Sequence, residues 1–104
     1  MNLEKSVEIA SLYGFYKNLL TEKQQNIFER YYLQDIGLTE ISEVLGVTKQ
    51  TVLDTLKKTE KNLFEMENAL KLFKIYESQS IIIKEVKQTK DLSNLDKLLN
   101  CWED

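Results

Sequence analysis

Histidine and proline are absent from the chain, cysteine occurs once and glycine three times. Without histidine there is no Ser-His or Cys-His nucleophile pair. Cys101 alone can neither close a disulfide within the chain nor build a cysteine cluster for zinc. The lack of proline and the scarcity of glycine remove the turn chemistry that most all-β architectures need. No run approaches the roughly 18 to 20 consecutive apolar residues of a membrane span. A strongly basic balance is also missing, since 14 Lys and Arg face 17 Asp and Glu for a net charge of −3. Any nucleic-acid binding must therefore be local rather than driven by bulk charge. Met1-Asn2-Leu3-Glu4-Lys5 lacks the basic and apolar regions of a secretory leader. Together with the single thiol, this gives cytoplasmic residence as the expectation.

What is present is helical patterning over 104 residues, the length of one small domain. The expected class is all-α. Ile9, Leu12, Tyr16 and Leu19 recur at helical spacing, with Tyr13 and Leu20 at the stripe's edge, which predicts a first helix over about residues 3–20. Gly14 inside it costs about 1 kcal/mol relative to alanine and hints at close packing there. Thr21 and Gln24 fit a capping box that starts a second helix, whose apolar face is Ile27, Phe28 and Tyr31. The aromatic group Tyr13, Phe15, Tyr16, Phe28, Tyr31 and Tyr32 is at the spacing of a helical core rather than of a base-stacking platform.

Residues 38–56 carry mutually consistent signals. Thr39 is expected to cap a short helix bearing Ile41, Val44 and Leu45, and Gly46 stands where a left-handed residue ends such a helix. Thr48 caps the next helix, and Val47 with Val52 forms a hydrophobic staple across that cap. This is the pattern of a helix-turn-helix, with Ser42 as the small residue that lets the second helix approach. One position departs from DNA-reading versions: Thr55 stands where a second apolar residue is usual, and the apolar role moves to Leu56.

The second helix of that motif would expose Lys49, Gln50, Thr51 and Asp54, then Lys57, Lys58 and Lys61. Between Thr48 and Asn62 four lysines face Asp54 and Glu60, a local net of +2 in an acidic chain. The sign suits phosphate, glutamine can bond adenine at two points, and an aspartate can accept from cytosine. A solvated helix face of ordinary composition is the alternative reading. Nothing between Lys49 and Tyr76 signals a break, so a helix on the order of 40 Å long is expected. Its stripe of Leu56, Thr59, Leu63, Met66, Leu70 and Phe73 predicts a homodimer through the long helix, unless the C-terminal segment covers it. The segment 81–89, with Ile81, Ile82, Ile83 and Val86, suits helix or strand and is read as helix. Asp91 or Ser93 is expected to cap a final helix, with Leu92, Leu95, Leu99 and Trp102 docked against the body or the long helix. The expected organisation is one helical domain over 1–104, a core over 1–78 and an extension over 79–104.

The order of these features resembles the YlxM-like family of small bacterial helix-turn-helix proteins. The matching stretches are Leu12-Tyr13-Gly14-Phe15-Tyr16, Leu19-Leu20-Thr21-Glu22-Lys23-Gln24 and Tyr31-Tyr32-Leu33-Gln34-Asp35, then Leu38-Thr39-Glu40-Ile41, Val47-Thr48-Lys49-Gln50-Thr51-Val52 and Lys57-Lys58-Thr59-Glu60. They cover about the first three quarters of the chain and leave residues beyond Ser80 outside. The helix-turn-helix part is also similar to the fourth conserved region of bacterial sigma factors, which binds promoter DNA. The resemblance implies an all-α fold and a regulatory role through DNA or RNA. It also implies a link to the signal recognition particle pathway, because family genes commonly neighbour those of the particle's protein subunits. The family pattern often has arginine where this chain has Lys49, Lys57 and Lys58, and lysine lacks arginine's bidentate readout of guanine. Glu40 and Glu43 are the only candidates of note for acid-base chemistry. No glycine-rich phosphate loop or metal spacing accompanies them, so neither an enzyme nor a cofactor is expected.

Overall fold

A computed structural model describes residues 3–102, and every regular element among them is helical. Met1 and Asn2, which belong to the stretch read above for a leader, lie outside the described residues. The chain forms two compact units that divide between Ala69 and Leu70. In the first unit α1 spans Leu3–Tyr16 and is followed by a 3-10 turn, Lys17–Leu19. α2 spans Glu22–Phe28 and continues as a π-helical turn, Glu29–Leu33. α3 spans Leu38–Leu45 and α4 spans Lys49–Leu70. The second unit holds α5, Leu72–Thr89, a 3-10 turn, Leu92–Asp96, and the short α6, Lys97–Asn100.

α1 ends four residues earlier than its pattern predicts. Tyr16 leaves helical geometry at φ −114° and ψ 1°, and the tighter turn that follows rotates Leu19 out to solvent while Leu20 turns in and is buried. The capping box at the start of α2 forms in both directions: the Gln24 N–H donates to Thr21 Oγ1 at 3.1 Å, and the Thr21 N–H donates to Gln24 Oε1 at 3.0 Å. Both bonds satisfy donors that a helix start otherwise leaves unpaired.

Of the aromatic group of the first two helices, all but Phe15 lie in or against the core. Tyr13 stacks on Phe28 with centroids 4.3 Å apart, and Phe28 stacks in turn on Tyr32 at 4.5 Å. Tyr31 meets Tyr32 edge-on at 5.1 Å. Tyr13, Tyr16 and Phe28 are buried, whereas Phe15 faces outward. Offset stacking of this kind adds about 0.5–1.5 kcal/mol per pair beyond the apolar area it buries.

A second cluster joins α2 to the motif that follows. Ile27, Ile41, Val52 and Leu56 are buried together, with Tyr31, Tyr32, Ile36, Leu38, Leu45 and Val47 packed around them. α3 begins one residue before Thr39. Gly37 occupies the cap in extended geometry and supplies only its carbonyl, which accepts the Ile41 N–H at 3.0 Å. Thr39 instead gives its carbonyl to the Ser42 hydroxyl at 2.7 Å. Val44 is exposed rather than packed.

The long helix is shorter than the sequence pattern predicts. It stops at Leu70, and Lys71 adopts the left-handed conformation at φ 58° before α5 begins. A non-glycine residue there costs roughly 1–2 kcal/mol, a term no residue-type signal announces. Of the stripe expected to seam a homodimer, Leu56, Thr59 and Leu63 are buried, Met66 is half-buried and Leu70 is exposed. α5 is helical through residues 81–89. Asp91 then caps a 3-10 turn, accepting the Ser93 N–H at 3.0 Å and the Ser93 hydroxyl at 2.6 Å. These two donors hold the Asp91 carboxyl below its usual range. Leu92, Leu95, Leu99 and Trp102 are exposed.

Gly14 is exposed, and a methyl group there meets nothing within 4 Å. The close packing its place in the helix suggested is not found. Gly14→Ala should therefore stabilise the protein by about 0.5–1 kcal/mol, read as a higher urea midpoint at unchanged slope.

Candidate nucleic-acid interface

The turn between α3 and α4 is built by backbone geometry. Gly46 is left-handed at φ 68° and ψ 33°, and its N–H donates to the Glu43 carbonyl at 3.4 Å. The Val47 N–H donates to the Ser42 carbonyl at 3.0 Å. This pair of bonds closes the helix end and sends Val47 back onto the cluster that contains Val52. Thr48 Oγ1 then accepts the Thr51 N–H at 3.0 Å and lies 2.9 Å from the Thr51 hydroxyl, which caps the start of α4. The staple and both caps thus set the direction in which α4 leaves the turn.

α4 buries Val52, Leu56, Thr59 and Leu63 along one face. Thr59 is tolerated there because its hydroxyl donates to the Thr55 carbonyl at 2.7 Å. Leu56 takes the buried position, and Thr55 is half-buried beside it. At about 100° per residue, Gln50, Asp54, Lys57 and Lys61 fall on the face opposite this core. All four are exposed, and Lys58 flanks them, also exposed, whereas Lys49, seven residues before Leu56, is exposed at the start of the helix on the side of the buried stripe. Thr51 is half-buried, with its hydroxyl directed to Thr48. Gln50 Nε2 donates to Asp54 Oδ1 at 2.8 Å, and Lys61 Nζ lies 3.9 Å from Glu65 across one turn. The structure therefore carries five of the seven candidate residues on or beside one outward face, leaves Lys49 at the helix start on the side of the buried stripe, and turns the Thr51 hydroxyl toward its cap.

One contributor to this face carries no signal in the sequence. Glu60 is half-buried and accepts a hydrogen bond from the Tyr32 hydroxyl at 2.8 Å. The carboxylate is held toward the π-helical turn, so the lysine-bearing face keeps only Asp54 of the two acids between Thr48 and Asn62. Two similar bonds secure the same unit, Tyr13 to Glu29 at 2.8 Å and Tyr16 to Glu67 at 2.6 Å. Burial, and then the adjoining carboxylates, push the Tyr13 and Tyr32 hydroxyls far above the ordinary tyrosine range, so both remain donors at any physiological pH. Tyrosine and glutamate lie 28 residues apart in the Tyr32 pair, beyond the reach of any local pattern.

A family profile described as "Putative helix-turn-helix protein, YlxM / p13 like", UPF0122, matches residues 3–100. The chain belongs to the UPF0122 family. It is 40% identical over 89 residues to a UPF0122 protein of Halalkalibacterium halodurans, covering 86% of this chain and 82% of the relative. It is 42% identical over 86 residues to a UPF0122 protein of Streptococcus gordonii, covering 83% and 78%. A third relative, from Streptococcus pneumoniae, is 41% identical over 86 residues, covering 83% of this chain and 78% of its own length. The family match runs well past Ser80, so the C-terminal helices belong to the family pattern and are not an appendage outside it. Among the described residues, no helix is long and apolar enough to cross a membrane.

Tyr32→Phe removes the donor to a half-buried carboxylate while leaving the ring stack in place. The expected cost is about 1–3 kcal/mol, measured as a lower urea midpoint with little change in slope.

Proposed function

We propose that this chain is a non-enzymatic nucleic-acid-binding regulator that meets its ligand with the outward face of α4. The observation that carries the reading is the segregation of charge on that helix. Lys57, Lys58 and Lys61 are exposed with the core behind them, Lys49 is exposed at the start of the helix, and Glu60 is bonded to Tyr32. In this reading the four lysines meet phosphates, and Gln50, Thr51 and Asp54 lie nearest the bases. The half-buried hydroxyl of Thr51 supports a methyl contact better than a hydrogen bond, since Oγ1 is already beside Thr48. The ligand is DNA, as the helix-turn-helix suggests, or the RNA of the signal recognition particle. The latter rests on the pathway link implied by the family resemblance, as does a regulatory role in protein targeting in the cytoplasm. Glu40 and Glu43 lie exposed on α3.

A second reading, an adaptor that grips a targeting protein with no nucleic acid involved, is separated by one experiment. The purified protein is titrated against duplex DNA from its own upstream region and against signal recognition particle RNA, at 50 and 200 mM salt. Four phosphate contacts per copy predict a loss of affinity of about a hundredfold between the two conditions. Lys57→Glu combined with Lys58→Glu should abolish binding with unchanged helical circular dichroism, because both side chains are exposed. Binding that is indifferent to salt and to the double substitution overturns the assignment and leaves the adaptor.

A further inference from the structure

The two acids of α4 between Thr48 and Asn62 are held in different ways. Asp54 lies on the outward face and accepts a hydrogen bond from Gln50 of the same helix. Glu60 is half-buried and falls between Leu56 and Lys57 around the helix, about 60° from the lysine. A glutamate three residues after a lysine is within reach of it, and such pairs form readily on a helix surface. Left to its own helix, the Glu60 carboxylate would pair with Lys57 and weaken the positive charge of the outward face. It is held elsewhere: the Tyr32 hydroxyl donates to Glu60 Oε1 at 2.8 Å, and the Tyr32 ring is fixed by its stack on Phe28 at 4.5 Å and by the edge of Tyr31 at 5.1 Å. Among the described residues Lys57 has no ion-pair partner.

We infer that Tyr32 is a positioning residue for the nucleic-acid interface: by holding Glu60 against the π-helical turn, it leaves Lys57 free to meet phosphate. This rests on the nucleic-acid reading of α4 and adds to it a residue on another element that sets the affinity of that face. The bond does not cancel the charge of Glu60; it fixes where the charge stands. A carboxylate in contact with Lys57 competes with phosphate for the same ammonium group, whereas one turned away acts only through screened distance. A neutral donor suits the task, because it anchors the carboxylate without placing another cation beside it. The bond between Tyr13 and Glu29 has the same chemistry in the same unit, at the same 2.8 Å, but neither partner lies on α4. It supplies the matched comparison, a tyrosine whose loss costs stability without moving a charge on the lysine face.

A double-substitution cycle on the full chain tests it. Phosphate contacts do not depend on sequence, so the probe is duplex DNA of arbitrary sequence, titrated between 50 and 200 mM salt, with helical circular dichroism recorded for each variant. Tyr32→Phe should weaken binding about three- to tenfold at the lower salt and reduce the log–log salt slope by up to about 0.9, the share of one phosphate. Adding Glu60→Gln to Tyr32→Phe should restore both quantities. Glu60→Gln alone should change affinity by about twofold at most, since the charge it removes already stands off the face. Glu60→Asp is too short to reach the Tyr32 hydroxyl and should weaken binding with the ring stack intact, which keeps the test open if Tyr32→Phe unfolds. Tyr13→Phe should leave affinity unchanged. A wild type without salt-dependent binding overturns the nucleic-acid reading and this inference with it. A wild type that binds, with Tyr32→Phe or Glu60→Asp binding equally well, overturns the positioning role alone. So does a loss that Glu60→Gln fails to restore, or one that Tyr13→Phe reproduces.

Discussion

The geometry of the N-terminal unit depends on how α4 is made to leave the turn after α3. Gly46 in the left-handed region allows the Val47 N–H to reach back to Ser42, and that bond places Val47 on the cluster of Ile27, Ile41, Val52 and Leu56. Each of these buried side chains contributes about 1.5–3 kcal/mol relative to exposure, and together they hold the two helices at one angle. The lysine face on α4 is a consequence of that packing. Once Val52, Leu56, Thr59 and Leu63 face inward, residues 50, 54, 57 and 61 have no direction left but outward.

Three tyrosine hydroxyls reinforce the same arrangement from the side. Tyr16 bonds Glu67 near the end of α4, Tyr32 bonds Glu60 in its middle, and Tyr13 bonds Glu29 within the π-helical turn. Each bond joins a neutral donor to a carboxylate in partly dry surroundings, where such bonds are stronger than in water and costly to leave half made. They also give a physical reason for the unusual number of tyrosines in so small a protein: five tyrosines are present, and three spend their hydroxyls on glutamates.

Much of this unit is legible in the sequence because it is written in local chemistry. The capping box of Thr21 and Gln24, the glycine at 46, the cap at Thr48 and the staple of Val47 with Val52 act over two to five residues, and their residue types name their roles. The buried and exposed faces of α4 follow from its period alone. What escapes is either conformational choice without a residue signature or pairing at long range. Lys71 breaks the helix although lysine is a good helix former, and Tyr16 ends α1 with no glycine or proline to mark the place. Glu60 looks like a surface charge until Tyr32 is seen beside it. Leu92, Leu95, Leu99 and Trp102 have the spacing of a docked face, but spacing cannot say whether the covering surface lies in the same chain.

The hydrogen bond from Gln50 to Asp54 has an entropic side. A free glutamine on a helix surface samples many rotamers, and ordering it against a ligand costs on the order of 1–2 kcal/mol. Here one amide hydrogen is already engaged at 2.8 Å, which narrows the side chain to conformers whose carbonyl and remaining hydrogen point away from Asp54. Whatever meets α4 at its first turn therefore finds a donor and an acceptor at a fixed separation instead of a mobile chain. Under the proposed nucleic-acid role, selectivity at that point would come from a shape settled before the encounter, and rotation of the amide toward a mismatched partner would first have to break the bond to Asp54.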